Sequence, residues 1–374
     1  MPVNVSDLLL LSRVPGVGAN RLRALVNHFQ DPALVFNATP RQLVAVEGIE
    51  RRTALSIVGF FRGNGPSAAK RFAADQIART SKLNGRIVTF WDRDYPAGLR
   101  RIFDPPTLLF LKGTLSEADA SSIALVGTRD PTAYGTQMAE RFASELARLG
   151  LPVVSGLARG IDTVAHAAAL KARGRTIAVI GSGIDIIYPP ENKPLAERLA
   201  IDGAIVSEYV VGTKPDACNF PRRNRIISGI ALATVVVETG IDGGAMITAS
   251  TALDQNREIF AIPSPVTDKR KSGANQLIKE GRAMLTESVD DIIAELAPRL
   301  KGVVSPRGAI PAEPPPDLTL FERQVLDVMT EAPVHIDTLA DRANLATTDT
   351  LVHLLSLEFK GVVRQLPGKM FVRR

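Results

Sequence analysis

Apolar residues are spaced in three ways along this chain, and the changes of spacing mark its parts. From Val5 to Leu83 the spacing is helical. Val5 to Leu11 starts a helix, Val14-Pro15-Gly16-Val17-Gly18 breaks it, and Asn20 to Phe29 is basic and amphipathic. A second helix–glycine–helix pattern, Leu43 to Ala54, surrounds Glu47-Gly48-Ile49. Residues 62–67, RGNGPS, read as a loop, and Ala68 to Leu83 as a closing helix.

The second spacing begins after a stretch from Arg86 that shows little periodicity, where Tyr95-Pro96 and Asp104-Pro105-Pro106 impose extended geometry. LLFLKG, Leu108 to Gly113, predicts an edge strand. Short continuous apolar runs then alternate with helical spacing. Strands are predicted at Ile123 to Gly127, Val153-Val154, Thr176 to Ile180, Ala204 to Ser207, Thr234 to Glu238 and Glu258 to Ile262, with helices such as Tyr134 to Leu149 and Ile161 to Ala172 between them. Apolar strands separated by helices imply a parallel sheet covered on both faces. The expectation is an α/β, doubly wound, Rossmann-like core over residues 81–298.

After Leu300 the sequence KGVVSPRGAIPAEPPPD has no apolar period and reads as a semi-extended linker, residues 299–317. From Leu318 a third pattern begins: helices at Leu320 to Met329, Ile336 to Ala343 and Thr347 to Phe359, then an alternating hairpin from Gly361 to Val372 with Gly368 at its turn. Three helices and a β wing make a winged helix over 318–374. Its third helix offers Thr347, Thr348, Asp349, His353 and Glu358 rather than cations. That disfavours direct duplex reading, and protein contact, or an auxiliary wing contact through Arg364 and Lys369, is at least as well supported. The N-terminal residues 1–80, with their PGVG turn, resemble a helix-hairpin-helix, or SAM-like, domain.

Composition narrows the class. The chain has 374 residues, 45% hydrophobic and 22% charged, which suits several packed domains. A lone cysteine, Cys218, excludes an internal disulfide framework. No charged-then-apolar leader pattern opens the sequence and no apolar run nears the roughly 18 residues a membrane span needs, so a cytoplasmic protein without membrane contact is expected. The formal charge is +6, and residues 1–80 carry most of it, with 10 Lys/Arg against 5 Asp/Glu. In the middle region the cations sit in expected loops: Arg129, Arg222 to Arg225, and Lys269, Arg270 and Lys271.

Candidate chemistry centres on Phe220 to Ser228, FPRRNRIIS. Pro221 suits a first helical turn, and Arg222, Arg223 and Arg225 then crowd the positive end of a helix. An anion relieves that crowding. Phosphate on a helix N-terminus, held by arginine forks, fits, with Phe220 just outside the helix as a stacking face for a base. A capped helix with a hydrophobic staple and solvated arginines fits the same residues. In a doubly wound sheet, ligands sit beyond the strand carboxyl ends. That rule selects Gly127-Thr128-Arg129, Ser155 to Gly160, Gly181-Ser182-Gly183, Glu208 and Gly240 to Gly244, a glycine-lined cradle for phosphate oxygens.

Enzyme signatures do not form. Gly181-Ser182-Gly183 is not continued as GxGxxG, and no Walker A sequence occurs. Asp162 and His166, four apart, could make a base with its orienter, but are expected to hold the loop after the second strand. No metal ligand set is expected. Glu208 and Glu238 end strands and are candidate carboxylates, and Cys218 is expected to be a small packing residue.

In order along the chain stand GTR at Gly127 to Arg129, Tyr134-Gly135, SGLARGID at Ser155 to Asp162 with His166, YPPEN at Tyr188 to Asn192, Ser207-Glu208, FPRRNRII at Phe220 to Ile227, VVVE at Val235 to Glu238, ITA at Ile247 to Ala249 and GANQLI at Gly273 to Ile278. This series resembles the DprA/Smf family of DNA-processing proteins. The resemblance implies a non-enzymatic protein without a cofactor, which binds and shields single-stranded DNA in natural transformation, loads the RecA recombinase, and works as a homodimer through the Rossmann-like domain. It implies a DNA site at Gly127, Thr128, Arg129, Ser155, Gly156, Lys193, Phe220, Arg222, Arg223, Asn224, Arg225 and Asn275. The chain departs from the family pattern at Gly243-Gly244 and at Pro263-Ser264. The core is also similar to the nucleotide-cleaving lysine-decarboxylase-like proteins, but Gly240 to Gly244 lacks their PGGxGT-type loop. A nucleotide-processing enzyme and a recombination scaffold with purely structural arginines are the alternatives.

Overall fold

The computed structural model describes residues 3–268, 271–300, 318–330 and 333–373. Lys269, Arg270 and the expected linker from residue 301 to 317 lie outside the described residues. Two compact units are present, one up to residue 304 and one from residue 305.

The first unit opens with helices Val5–Leu11, Ala19–Phe29, Pro32–Val35, Pro40–Val44, Arg51–Arg62 and Gly65–Lys82. Gly16 and Gly48 turn the two hairpins at φ +83° and +76°, the left-handed region that glycine enters without strain. Arg21 ties the turns together, its Nε donating to the Gly48 carbonyl at 3.0 Å and its Nη1 to that of Gly16 at 2.8 Å. The expected 62–67 loop contracts to Gly63 and Asn64. Gly65 already begins the next helix, because Pro66 fits a first turn where no amide partner is required.

A nine-stranded sheet follows. Its strands are β1 Gly85–Thr89, β2 Leu108–Gly113, β3 Ile123–Val126, β4 Val153–Ser155, β5 Thr176–Val179, β6 Ala204–Ser207, β7 Ala233–Val236, β8 Glu258–Ala261 and β9 Met284–Leu285. The order is β1-β2-β6-β5-β4-β3-β7-β8-β9, parallel from β6 to β9, with β2 antiparallel to β6 and β1 antiparallel to β2. The strand expected at the edge, β2, is therefore flanked on both sides, and β1 takes the edge. GRIVT is short and half-polar, so its period does not stand out from the prolines around it. The two-residue β9 is likewise invisible as a pattern.

Alternate residues of each strand feed opposite cores, as a period of two requires. Ile123 and Leu125 pack with Phe142, Leu146 and Ala165 from helices Ala133–Arg148 and Ile161–Lys171. Ala124 and Val126 pack with Ile226, Ile230 and Ala249 from helices Asn219–Ile230 and Gly244–Asp254. The N-terminal helices share a third core with the sheet, where Leu25 and Ile57 join Phe110, Ile184 and Val211. The chain leaves β3 for β4 on one side and β7 for β8 on the other. The crevice between the carboxyl ends of β3 and β7 is thus the topological switch point.

The second unit contains helices Leu320–Asp327, Ile336–Ala343 and Thr347–Phe359, with strands β10 Val334–His335, β11 Val363–Leu366 and β12 Met370–Arg373 in the order β10-β12-β11. This is the winged-helix arrangement with an additional short strand, β10. Gly368 at φ +82° turns the wing. Buried Glu322 joins the elements: its side chain accepts from Ser356 Oγ at 2.6 Å and Lys360 Nζ at 2.8 Å, and completes a capping box with Thr319. Lys360, then Ser356, hold the Glu322 carboxyl down to about 2, against an ordinary 4.5. A depressed acid stabilises above its unfolded value and loses that contribution as pH falls. Glu322→Ala is expected to speed amide exchange in helix Thr347–Phe359 at neutral pH, and its difference from the parent to vanish as pH falls from 4.5 towards 2.

Candidate nucleic-acid interface

At the switch point a cavity of about 730 Å³ opens, with the Gly127-Thr128-Arg129 turn on one wall and Phe220, Asn224 and Gly244 on others. Strand β3 ends at Val126, and Thr128 N–H donates to the Glu238 carbonyl at 2.7 Å, which fixes the turn across the switch. Gly127 is required there, because a Cβ would stand 2.5 Å from Ile161 Cγ1. The exposed Arg129 guanidinium lies over the half-buried Phe220 ring, 5.2 Å from its centroid. This is a cation–π contact that holds an arginine extended at the cavity mouth. Tyr188 stands beside them, its ring 6.1 Å from that of Phe220. Lys271 reaches the same turn, 3.4 Å from Thr128 Oγ1 and hydrogen-bonded to the Asp130 carbonyl.

Helix Asn219–Ile230 distributes the arginines of FPRRNR in three directions. Arg222 points outward, and makes no hydrogen bond or ion pair among the described residues. Arg225 is half-buried and ion-paired with Glu208 and with Asp104, the latter at 3.1 Å. Arg223 turns inward and is only 4% exposed, donating to the Val179 carbonyl. Burial pushes Arg223 down to about 10, still cationic at neutral pH, and Asp162 opposes that fall. Asp162 is itself buried, raised by desolvation, and accepts from Gly156 N at 3.1 Å and Ala158 N at 3.3 Å. Asp162 therefore holds the loop after β4.

His166 lies beneath this loop with Nδ1 2.7 Å from Thr176 Oγ1. Thr176 gives its own proton to the Val153 carbonyl, so the network assigns the imidazole proton to Nδ1. Burial first, and the Arg223 charge second, lower His166 to about 3. Glu238 is buried and receives Thr132 N at 2.9 Å, capping helix Ala133–Arg148. Glu208 is committed to Arg225, which opposes the rise that burial gives its carboxyl.

Residues 86–297 match the family model for DNA recombination-mediator protein A, 309–369 that for the DprA winged helix domain, and 8–62 that for a SAM-like helix-hairpin-helix tandem. Protein Smf of Synechocystis sp. is 34% identical over 98% of both chains. The chain belongs to the DprA/Smf family. DNA processing protein DprA of Bacillus subtilis is 45% identical over 55% of this chain and 70% of its own. Among solved structures, Streptococcus pneumoniae DprA superposes with a TM-score of 0.67 at 31% identity, covering 79% of this chain and 99% of that one. The Helicobacter pylori protein, described for its unique single-stranded DNA binding mode, gives 0.51 at 27% identity over 57% of this chain and 96% of its own.

In this DprA family member the expected site residues separate by depth. Gly127, Thr128, Arg129, Phe220, Arg223 and Asn224 meet at the cavity, and Arg222 stands exposed close by in the chain. Ser155 and Gly156 are buried, Ser155 donating to the Leu125 carbonyl at 2.7 Å. Asn275 is occupied by the Ser264 backbone, with both bonds 2.8 Å. Lys193 is exposed at the start of helix Lys193–Asp202, outside the cavity lining. Two expectations about the Phe220 segment change. Phe220 is inside the helix, which starts at Asn219, and Cys218 is exposed at the cap rather than packed. Asp216 also takes the amides of Cys218 and Asn219, so that helix end has little left for an anion. The end that suits phosphate is that of helix Gly244–Asp254, which opens on the cavity without a side-chain cap. Tyr188 was not expected in the site; its place in YPPEN was the available signal. Among the described residues no cluster of three metal-ligating side chains forms, and no helix is long and apolar enough to cross a membrane.

Gly156 supports the buried arginine, because a Cβ there would overlap the Arg223 guanidinium. Gly156→Ala is expected to lower the unfolding free energy by about 1–3 kcal/mol, read by urea titration. For His166 the folded value lies below the unfolded one, so stability is greatest above about 6.5 and falls towards pH 3. His166→Gln is expected to flatten that part of the stability profile.

Proposed function

We propose that this chain is a single-stranded DNA-binding protein that holds DNA at the switch-point cavity, shields it, and loads the RecA recombinase onto it during natural transformation and recombination. The observation that carries the reading is the Arg129–Phe220 pair at the mouth of a glycine-walled cavity. A base stacks on an aromatic face whatever its identity, while guanidinium and ammonium groups follow the phosphates. Arg129, Arg222 and Lys271 supply those charges. Arg223 and Arg225 act from beneath, as positioning residues for the loops that carry the contacts. The Helicobacter pylori relative, described for its single-stranded DNA binding mode, supports the same ligand.

The role is non-enzymatic in this reading. Asp162, Glu208 and Glu238, the carboxylates nearest the site, are each engaged in holding loops, helices or Arg225. The chain acts in the cytoplasm as a homodimer through the Rossmann-like domain. A surface suited to that contact is the β9 edge, where Met284 and Leu285 are exposed, since an unpaired apolar edge invites a second chain.

Fluorescence anisotropy of a labelled oligo-dT across a salt series tests the site. Arg129→Ala and Arg222→Ala are expected to weaken binding and to flatten the log–log salt slope by about 0.7 for each phosphate no longer neutralised. Phe220→Ala is expected to weaken binding by roughly 1–3 kcal/mol with the slope preserved. Parent-like binding by the double arginine variant would show that the cavity is not where DNA sits.

A further inference from the structure

Away from the cavity, helix Asn219–Ile230 packs against the short helix Ala97–Arg100 and the turn that follows it. Gly229 makes room for them, since a Cβ there would stand 2.7 Å from Leu99 Cδ1 and 3.1 Å from Ile102 Cγ2. Leu99 and Ile102 are buried, yet the next side chain, Phe103, is 95% exposed and meets no other ring or guanidinium among the described residues. A single exposed apolar residue needs no explanation by itself. The charges around this one supply it.

Arg101 is exposed, and its side chain makes no hydrogen bond or ion pair among the described residues. Its neighbour is another cation: Arg257 is lowered by burial first, then by the charges of Arg299 and Arg101. Arg299 has Glu258 as partner, whereas Arg257 and Arg101 have no carboxylate among the described residues. On the other side of Phe103, Asp104 lies 3.1 Å from Arg225. Arg222 precedes Arg225 by three positions on the same helix, a spacing that makes surface neighbours, and it is exposed and unpaired. Asp104 and Glu208, the carboxylates at this place, are both engaged by Arg225. A bare aromatic ring thus stands between two guanidiniums that lack a counter-charge, which is the chemistry of a strand with stacked bases and phosphates.

We propose that single-stranded DNA leaving the switch-point cavity runs along helix Asn219–Ile230 to a second stacking platform, Phe103, with Arg222 and Arg101 on the phosphates to either side. The proposal rests on the reading of the cavity as the first site. Gly229, where Ile102 packs, lies nine residues beyond Phe220, about 14 Å along the helix axis. At about 3.4 Å per stacked nucleotide that is a run of about four. Once the cavity is filled, the following bases are held close to Phe103, so even a weak second platform adds to the whole. Phe103 stacks on any base, and the platform lengthens the footprint without adding sequence preference.

Anisotropy of labelled oligo-dT of twenty nucleotides, with the full chain and a salt series, carries the test. Phe103→Ala is expected to weaken binding at least about fivefold with the salt slope preserved. Arg101→Ala is expected to flatten the slope by about 0.7. Phe103→Trp keeps an aromatic face and is expected to bind like the parent, with the emission it adds to that of Trp91 quenched by DNA. Phe220→Ala, measured alongside, separates this proposal from the reading beneath it. If Phe220→Ala weakens binding while Phe103→Ala binds like the parent and the added emission is unquenched, the path stops at the cavity and the proposal is overturned. If Phe103→Ala weakens binding and Phe220→Ala does not, the cavity reading fails and the Phe103 face stands as the site. If Phe103→Ala lowers the sedimenting mass of the DNA-free chain while DNA binding stays parental, the ring is a protein contact and the proposal fails.

Discussion

A buried guanidinium must be satisfied before anything else can be arranged around it, and the carboxyl end of this sheet is organised around Arg223. Its charge sits under the loop after β4, bonded to the Val179 carbonyl at the end of β5 and set in the field of Asp162. Asp162 in turn gathers the amides of Gly156 and Ala158. Removing one member of such a buried arrangement leaves the others uncompensated, which is more costly than any surface ion pair is worth. Gly156 has no side chain because the guanidinium occupies that space.

The visible chemistry follows from this hidden part. With the loop after β4 fixed and the Gly127 turn bonded across to Glu238, Arg129 is presented over Phe220 instead of wandering in solvent. The same helix that buries Arg223 sends Arg222 outward and gives Arg225 to Glu208 and Asp104. One short cationic motif is thus put to three uses: it pins a loop, braces a neighbouring strand end, and leaves one guanidinium exposed to solvent. The N-terminal helices support this end of the molecule from the side, through the core they share with β2.

The two units present different surfaces. The first gathers exposed cations and an aromatic at a concave site, chemistry fit for a polyanion with stacked bases. The third helix of the second presents exposed apolar side chains with no cation among them. A winged helix is named for its shape, and shape alone does not fix what its third helix touches.

Period and punctuation in the sequence were enough to determine the alternation of strands and helices, the winged-helix tail and the loops at the strand ends, because each depends on neighbours within a few turns. Motif order was enough to determine the family. Edge position was not legible: GRIVT is too short for its period to show, and only pairing with Leu108–Gly113 makes it the outer strand. Nor was the fate of the three arginines. Positions 222, 223 and 225 look alike in a string, yet a helix separates consecutive side chains by about 100°, and what lies in each direction belongs to distant parts of the chain. Val179 and Asp162 meet Arg223, Asp104 and Glu208 meet Arg225, and solvent meets Arg222. The sequence by itself determined that a cationic helix would stand at the strand ends. Only the tertiary structure decided which of its charges remain outside, because burial is a property of the fold and not of the motif.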